Sequence, residues 1–281
     1  MNPLELFKKT PQTNCGQCGH PACLAFAAAV TKGGEDPAKC PFLDLAALGL
    51  SRQEGPELAG VLRQRELELA EYLKSQVAGL DFAALAEPLG CRLEQDGSGR
   101  PVLVFNYLGQ ETRLNATGVW LEGVEPEDPR DRILLYSYVR SGGGPAPTNQ
   151  WIGLESLPNT ISKVRTLAVY GEQPLARLFH EYGHQRLLAA GLQLGGSSPA
   201  ESTADLSMII PVLPQLPQCL HFWAEAPEEG FAASAKVLYD ARVLDFLDLE
   251  SLIFTTERLV DRLTLLLQEP KSAALGKPEK K

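Results

Sequence analysis

Apolar residues recur at helical or strand spacing along most of the chain. Between residues 51 and about 80, Leu62, Leu67, Leu69, Tyr72, Leu73 and Val77 stand among Arg, Glu and Lys side chains, which predicts an amphipathic helix. Val102, Leu103, Val104, Phe105 and Tyr107 follow the turn signal Asp96-Gly97-Ser98-Gly99 and predict a strand. Residues 110–121 predict a strand pair broken near Asn115-Ala116-Thr117-Gly118. Residues 130–140, with Ile133, Leu134, Leu135, Tyr138 and Val139, read as a helix, a strand being the alternative. The pattern stops at Gly142-Gly143-Gly144-Pro145, a loop with room to move. Residues 174–192 predict a long helix carrying Leu175, Leu178, Phe179, Tyr182, Leu187 and Leu188, and Gly195-Gly196 ends that region. Residues 204–213 and 220–224 read as buried strands, with Pro211, Pro214 and Pro217 breaking the ground between them. Residues 249–267 predict a final amphipathic helix.

The first 50 residues differ. They are punctuated by Cys, Gly and Pro and can hide little apolar surface alone, so this unit needs a staple. The expected organisation is a small module at 1–50, a helical linker at 51–80, a larger domain at 81–269 and a disordered tail at 270–281. Helices and strands do not alternate regularly, so the fold class expected is α+β rather than doubly wound α/β.

Composition changes this picture little. Hydrophobic residues at 44% and charged residues at 22% supply a core for the larger domain. Lys+Arg number 26 and Asp+Glu 35, and no basic stripe stands out, which argues against nucleic-acid binding. The surplus of −9 serves solubility, or marks an acidic redox protein that docks on a basic surface. No apolar run reaches the ~18 residues of a membrane helix, and the N-terminus lacks a signal-peptide core. The cytoplasm is the expected location.

Four of the six cysteines lie in the first 40 residues, an uneven spread unlike a secreted disulfide scaffold. Cys15, Cys18, Cys23 and Cys40 form the pattern C-x2-C-x4-C-x16-C-P. A cubane cluster offers four irons, each taking one soft thiolate. Gly16 and Gly19 permit positive φ and let backbone N–H groups approach the sulfurs. Cys23 opens an Ala-rich run of high helix propensity, whose positive end favours a thiolate. Pro41 stops the segment after Cys40 from continuing as helix. The expected cofactor is one [4Fe-4S] cluster on these four cysteines. A structural zinc site is the competing reading, but zinc prefers two separated C-x2-C knuckles and only one is present. His20 is expected beside the cluster or toward solvent rather than on it.

Residues 4 to about 45 resemble the small [4Fe-4S] domain of the corrinoid iron–sulfur protein large subunit and of the Rnf complex B subunit. The four cysteines, Asn14-Cys15-Gly16-Gln17-Cys18-Gly19 and Cys23-x-x-Phe26-Ala27 carry the likeness. The resemblance implies low-potential electron transfer. It also implies a redox protein partner, with a corrinoid or another small cofactor as a further possibility for the larger domain.

From about residue 75 the chain resembles the uncharacterised DUF3786 domain. Tyr107-Leu108-Gly109-Gln110-Glu111, residues 131–136, Trp151-Ile152-Gly153-Leu154, Gly195-Gly196, Ala204-Asp205 with residues 213–217, and Val237-Leu238-Tyr239-Asp240 carry that likeness. It implies an anaerobe and a partner-dependent redox role, and no activity of its own.

One motif competes. His180-Glu181-Tyr182-Gly183-His184 fits H-E-x-x-H on a predicted helix, with Glu181 as base and Glu201 of Glu201-Ser202-Thr203-Ala204-Asp205 as a third ligand, a zinc hydrolase reading. Solvent-facing helix residues are the alternative there. A cluster that only folds the N-terminus of an interaction module is the third reading of the whole. Cys91 and Cys219 are expected as small buried hydrophobes, Trp120, Trp151 and Trp223 as core or interface anchors, and Asp205 and Asp240 as turn caps.

Overall fold

The computed structural model describes residues 2–33, 35–43 and 56–268. The expected disordered tail at 270–281, Gly34 and the start of the expected linker lie outside the described residues. The chain divides into two compact units, Met1–Arg65 and Glu66–Lys281.

In the first unit, helix α1 (Pro3–Phe7) begins with a reciprocal cap. Glu5 donates its N–H to Asn2 Oδ1 and Asn2 donates its own to Glu5 Oε2, both at 2.9 Å. Helix α2 (Cys23–Gly33) is the Ala-rich run, and a 3-10 turn at Pro37–Lys39, capped by Asp36, leads to Cys40. Leu6, Phe26, Ala27, Cys40 and Leu43 bury together, with Phe7, Cys18 and Val30 packed around them. So small a core holds a fold weakly without a covalent or metal staple.

Helix α3 (Pro56–Val77) carries the predicted linker pattern and contains the division between the units. Among its described side chains, Ala70, Leu73 and Val77 are buried, while Leu69 and Tyr72 are exposed. Over residues 69–77 the stripe is therefore narrower than the apolar residues alone suggest.

The second unit holds short helix α4 (Phe82–Ala86) and two antiparallel sheets. The first is a meander of β1 (Arg92–Gln95), β2 (Pro101–Tyr107), β3 (Gln110–Asn115) and β4 (Gly118–Leu121). The predicted turn between β1 and β2 is set by Asp96, whose carboxylate accepts the N–H groups of Ser98 and Arg100. Helix α5 (Pro129–Arg140) follows, started by Asp128 and by proline at its first position. Every residue from Ile133 to Val139 is buried. A helix covered on all sides has no polar face, which is why its period is hard to tell from a strand's.

In the loop after α5, Gly143 (φ 78°) packs closely, since a Cβ there would stand 2.6 Å from the Pro88 carbonyl.

The second sheet comprises β5 (Trp151–Gly153), β6 (Leu206–Leu213), β7 (Leu216–Trp223) and β8 (Ser234–Asp240), in the order β5-β8-β7-β6. Pro211 and Pro217 do not break it. They face each other inside β6 and β7, where neither is asked to donate, and a bulge between Pro211 and Leu213 absorbs the irregularity. Only Pro214 sits in the turn.

Helix α6 (Ile161–Leu167) runs through a π-helical turn at Ala168–Glu172 into α7 (Gln173–Gln193), and α8 (Leu249–Gln268) closes the domain. Met208, Ile210, Leu220, Phe222, Val237 and Tyr239, on one face of the second sheet, are buried in one core with the helices. Two of the polar side chains buried there bond helix α8. Gln218 donates to Thr255 Oγ1 at 2.6 Å, and Tyr239 OH bonds Thr256 Oγ1 at 2.8 Å. The fold is α+β. Among the described residues no helix is long and apolar enough to cross a membrane.

Candidate metal centre

Two of the cysteines, Cys15 and Cys18, hang on a tightly defined loop, Cys23 opens α2, and Cys40 follows the 3-10 turn. Gly16 (φ 73°) and Gly19 (φ 81°) both take the left-handed region, and Gly19 donates its N–H to the Gly16 carbonyl at 2.9 Å, closing a turn between Cys15 and Cys18. Asn14, also left-handed at φ 51°, accepts the Cys23 N–H on its Oδ1 at 2.8 Å. That bond ties the residue before Cys15 to the start of α2. Cys18 and Cys40 pack on the core that includes Phe26, one turn after Cys23. Cys23 and Cys40 are buried, Cys18 is half-buried and Cys15 is exposed.

The electrostatics favour thiolate at Cys15. The Gln17 backbone N–H and then the Thr13 side chain bond the sulfur and hold its pKa below the ordinary thiol value. Cys23 stands at the positive end of α2. His20 Nε2 lies 3.1 Å from Glu35 Oε2, and its ring packs against Phe26 at 5.7 Å. Glu35 also binds Lys39 Nζ at 2.7 Å, and Lys39 first, then His20, hold its carboxyl below the usual range. This His20–Glu35–Lys39 chain was not legible in the sequence, where only the i,i+4 spacing of Glu35 and Lys39 hints at it.

Four thiols without an oxygen donor form a soft set that suits an iron–sulfur group. Among the described residues, no three His, Cys, Asp or Glu side chains converge on a point where one metal ion could sit. A cubane puts each thiolate on its own iron, so it calls for spaced sulfurs rather than convergence.

The H-E-x-x-H reading is corrected. Helix α7 is broken inside the motif at Gly183 (φ 73°, ψ 172°). Two histidines four apart share a face only on continuous helix, and the break removes that relation. His180 instead pairs with Glu225 across 3.5 Å, and Glu201 joins no metal-holding group among the described residues. The glycine inside the motif was the available warning.

The family described as "Domain of unknown function (DUF3786)" matches residues 81–262. The chain belongs to the DUF3786 family. Ahead of the DUF3786 domain, the family described as "Putative Fe-S cluster" matches residues 11–42, which include all four cysteines. The corrinoid/iron-sulfur protein large subunit of Moorella thermoacetica is 40% identical over 60 residues, 21% of this chain and 14% of that protein. Acetyl-CoA decarbonylase/synthase complex subunit gamma 2 of Methanosarcina thermophila is 48% identical over 42 residues, 15% of this chain and 9% of that one. The B subunit of the ion-translocating oxidoreductase complex of Shewanella loihica is 37% identical over 81 residues, 29% and 39% respectively. The chain thus spans well under half the length of these curated relatives. No solved structure matches it.

Within the DUF3786 domain, motif stretches distant in sequence meet in space. Trp151 pairs with Asp240 across β5 and β8, and Tyr107 OH donates to Asp131 Oδ1 at 2.7 Å. Asp240 accepts the N–H of Arg242 two residues on, a turn cap, and also that of Asn149, whereas Asp205 accepts the N–H of Ala224, nineteen residues away, and so ties the ends of β6 and β7 rather than capping a turn. Burial pushes the Cys91 thiol up to about 12 and the Cys219 thiol up to about 11, which leaves both protonated and inert at neutral pH. Trp120 and Trp151 are partly exposed and Trp223 is exposed, so none is a core anchor.

Proposed function

We propose that the DUF3786 protein is an electron-transfer protein that holds one [4Fe-4S] cluster on Cys15, Cys18, Cys23 and Cys40. The observation that carries this reading is the quartet itself, an all-thiol set of which two members share a loop with two left-handed glycines, inside the segment matched by the Fe–S family. A bound cluster would supply one-electron chemistry at low potential. The chain's own part is to fix four sulfurs, aim the Gln17 N–H at Cys15, and leave that one ligand exposed as the edge nearest a partner. The small core explains why cluster binding and folding of this unit would be coupled.

The electron's destination is a partner protein in the cytoplasm of an anaerobe, where thiols stay reduced. A corrinoid-bearing partner is the first to test, because the relative from Moorella thermoacetica is named for that cofactor.

The test is iron, sulfide and zinc content with EPR on anaerobically purified protein, before and after dithionite. About four irons per chain and a signal that appears on reduction and disappears on reoxidation are expected. Cys18→Ser should lose the cluster, while Cys91→Ser and Cys219→Ser keep it. Zinc in place of iron would sink the proposal. A cluster that cannot be reduced reversibly would reduce it to a folding staple.

A further inference from the structure

Strand β8 is only half covered on its outer side. β5 pairs with it at Leu238, Tyr239 and Asp240 and leaves the sheet after Gly153. Val237 turns its N–H away from β7 and donates it to the Glu172 carboxylate at 3.2 Å. Backbone groups on an antiparallel strand alternate in direction, so Ala235 points its N–H and C=O the same way. Among the described residues, no backbone group from outside the sheet bonds them.

This edge leads into a groove of about 820 Å³. Ala176, Arg177, His180 and Glu181 of α7 form one wall, and Glu225 and Ala233 belong to the other. Ala233 lies immediately before β8, so the groove begins where that edge begins. The alanine methyl groups leave room over the edge. Its lining carries two carboxylates, Glu181 and Glu225, against one guanidinium, Arg177, and Glu228 and Glu229 stand exposed a few residues beyond Glu225. The domain as a whole shares that sign, with 29 of the 35 acidic residues against 19 of the 26 basic ones in residues 66–281. Phe231, also on this segment, is 65% exposed.

We propose that this groove binds an extended peptide segment of a partner protein by strand addition to β8, with a basic side chain of the peptide directed at Glu181 and Glu225. An exposed strand edge recognises extended backbone without regard to side chains, and the flanking carboxylates then choose among sequences. Lys or Arg is attracted there and Asp or Glu repelled.

The test uses the full-length, cluster-loaded protein and end-blocked fluorescent heptapeptides. One alternates Val or Thr with Lys, a second replaces Lys by Glu, and a third is the Lys peptide N-methylated on its central backbone nitrogens. Anisotropy should show the Lys peptide binding at least about tenfold more tightly than either of the others. Ala235→Pro removes an outward N–H that β7 does not use, as proline on a strand edge allows. It should cut binding of the Lys peptide by a similar factor with little change in Tm. Glu225→Gln with Glu181→Gln should erase the preference for Lys over Glu. Hydrogen exchange should slow at Ala235 when the Lys peptide is present. No binding up to millimolar peptide would overturn the proposal. So would binding that survives both N-methylation and Ala235→Pro, because that is charge attraction without pairing. Concentration-dependent self-association lost in Ala235→Pro would make a second copy the occupant and overturn the partner reading.

Discussion

Arg258 grips Asp131 with two parallel bonds, Nε to Oδ1 at 2.8 Å and Nη2 to Oδ2 at 2.7 Å. The pair joins α8 to α5, and Tyr107 of β2 adds a third bond to the same carboxylate. Asp131 is 4% exposed, so these charges are largely out of water and their geometry decides their worth. Removing one member of a buried pair costs about 3–5 kcal/mol. Arg258 also keeps Asp128 at 3.1 Å and Asp261 at 2.6 Å, so Asp131→Ala should fall at the low end, about 3 kcal/mol. Urea unfolding followed by circular dichroism measures this. The double variant Asp131→Leu with Arg258→Met should recover much of the loss, and a double variant as unstable as the single one would show that the pair is needed for more than charge balance.

The same network sets an acid response. Burial pushes the Asp128 carboxyl up, but bonds from Arg130 and the charge of Arg258 outweigh it, and the net shift is downward. A carboxyl lowered in the folded state adds stability above its ordinary pKa, about 3.9, and loses it as pH falls through the lower folded value. Glu257 runs the other way, since burial raises it and protonation relieves part of that cost. Asp128→Asn keeps the oxygen that caps α5 while deleting the charge. It should be less stable than wild type at pH 7, with the gap in Tm closing below about pH 4. A gap independent of pH would mean that the carboxylate's charge contributes nothing.

Much of this architecture was legible because its elements obey local rules. Asp96 and Gly99 mark the first hairpin, and the spacing of the cysteines marks the segment that the Fe–S family matches. The failures have physical causes. β5 and β8 pair residues about ninety positions apart, a relation that periodicity cannot express. Pro211 and Pro217 read as strand breakers singly, yet opposite each other they cost no ladder bond. Gly183 is silent in a hydrophobic pattern, and its departure from helical geometry undid the one motif that promised hydrolysis. His20 could be placed near the cysteines, but its partner Glu35 is fifteen residues away.

Two glycines separate backbone strain from crowding. Gly183 takes φ 73° and ψ 172°, a region that glycine alone enters readily, yet no atom lies within 4 Å of where its Cβ would be. Gly183→Ala should therefore cost only the backbone strain, about 1–3 kcal/mol, unless α7 straightens. Gly143→Ala adds a collision with Pro88 to its own positive φ. Its loss should be the larger of the two, and thermal unfolding of the two variants side by side checks the order. Equal losses would mean that the loop after α5 yields more readily than its packing implies.

Asn14 tests whether the cysteine loop is held by one side chain. It meets two requirements together, a left-handed backbone and an acceptor for the Cys23 N–H. Gly supplies the first without the second, Ala supplies neither at ease, and Asp supplies the acceptor and tolerates the backbone. An acceptor of this kind at a helix start contributes about 1 kcal/mol, enough to change a release rate about fivefold. Iron release to a chelator, followed under anaerobic conditions, should be fastest in Asn14→Ala, intermediate in Asn14→Gly and near wild type in Asn14→Asp. If Gly matches Asp, the backbone conformation alone holds the loop. If all three match wild type, the tether is incidental and the cluster itself organises the loop.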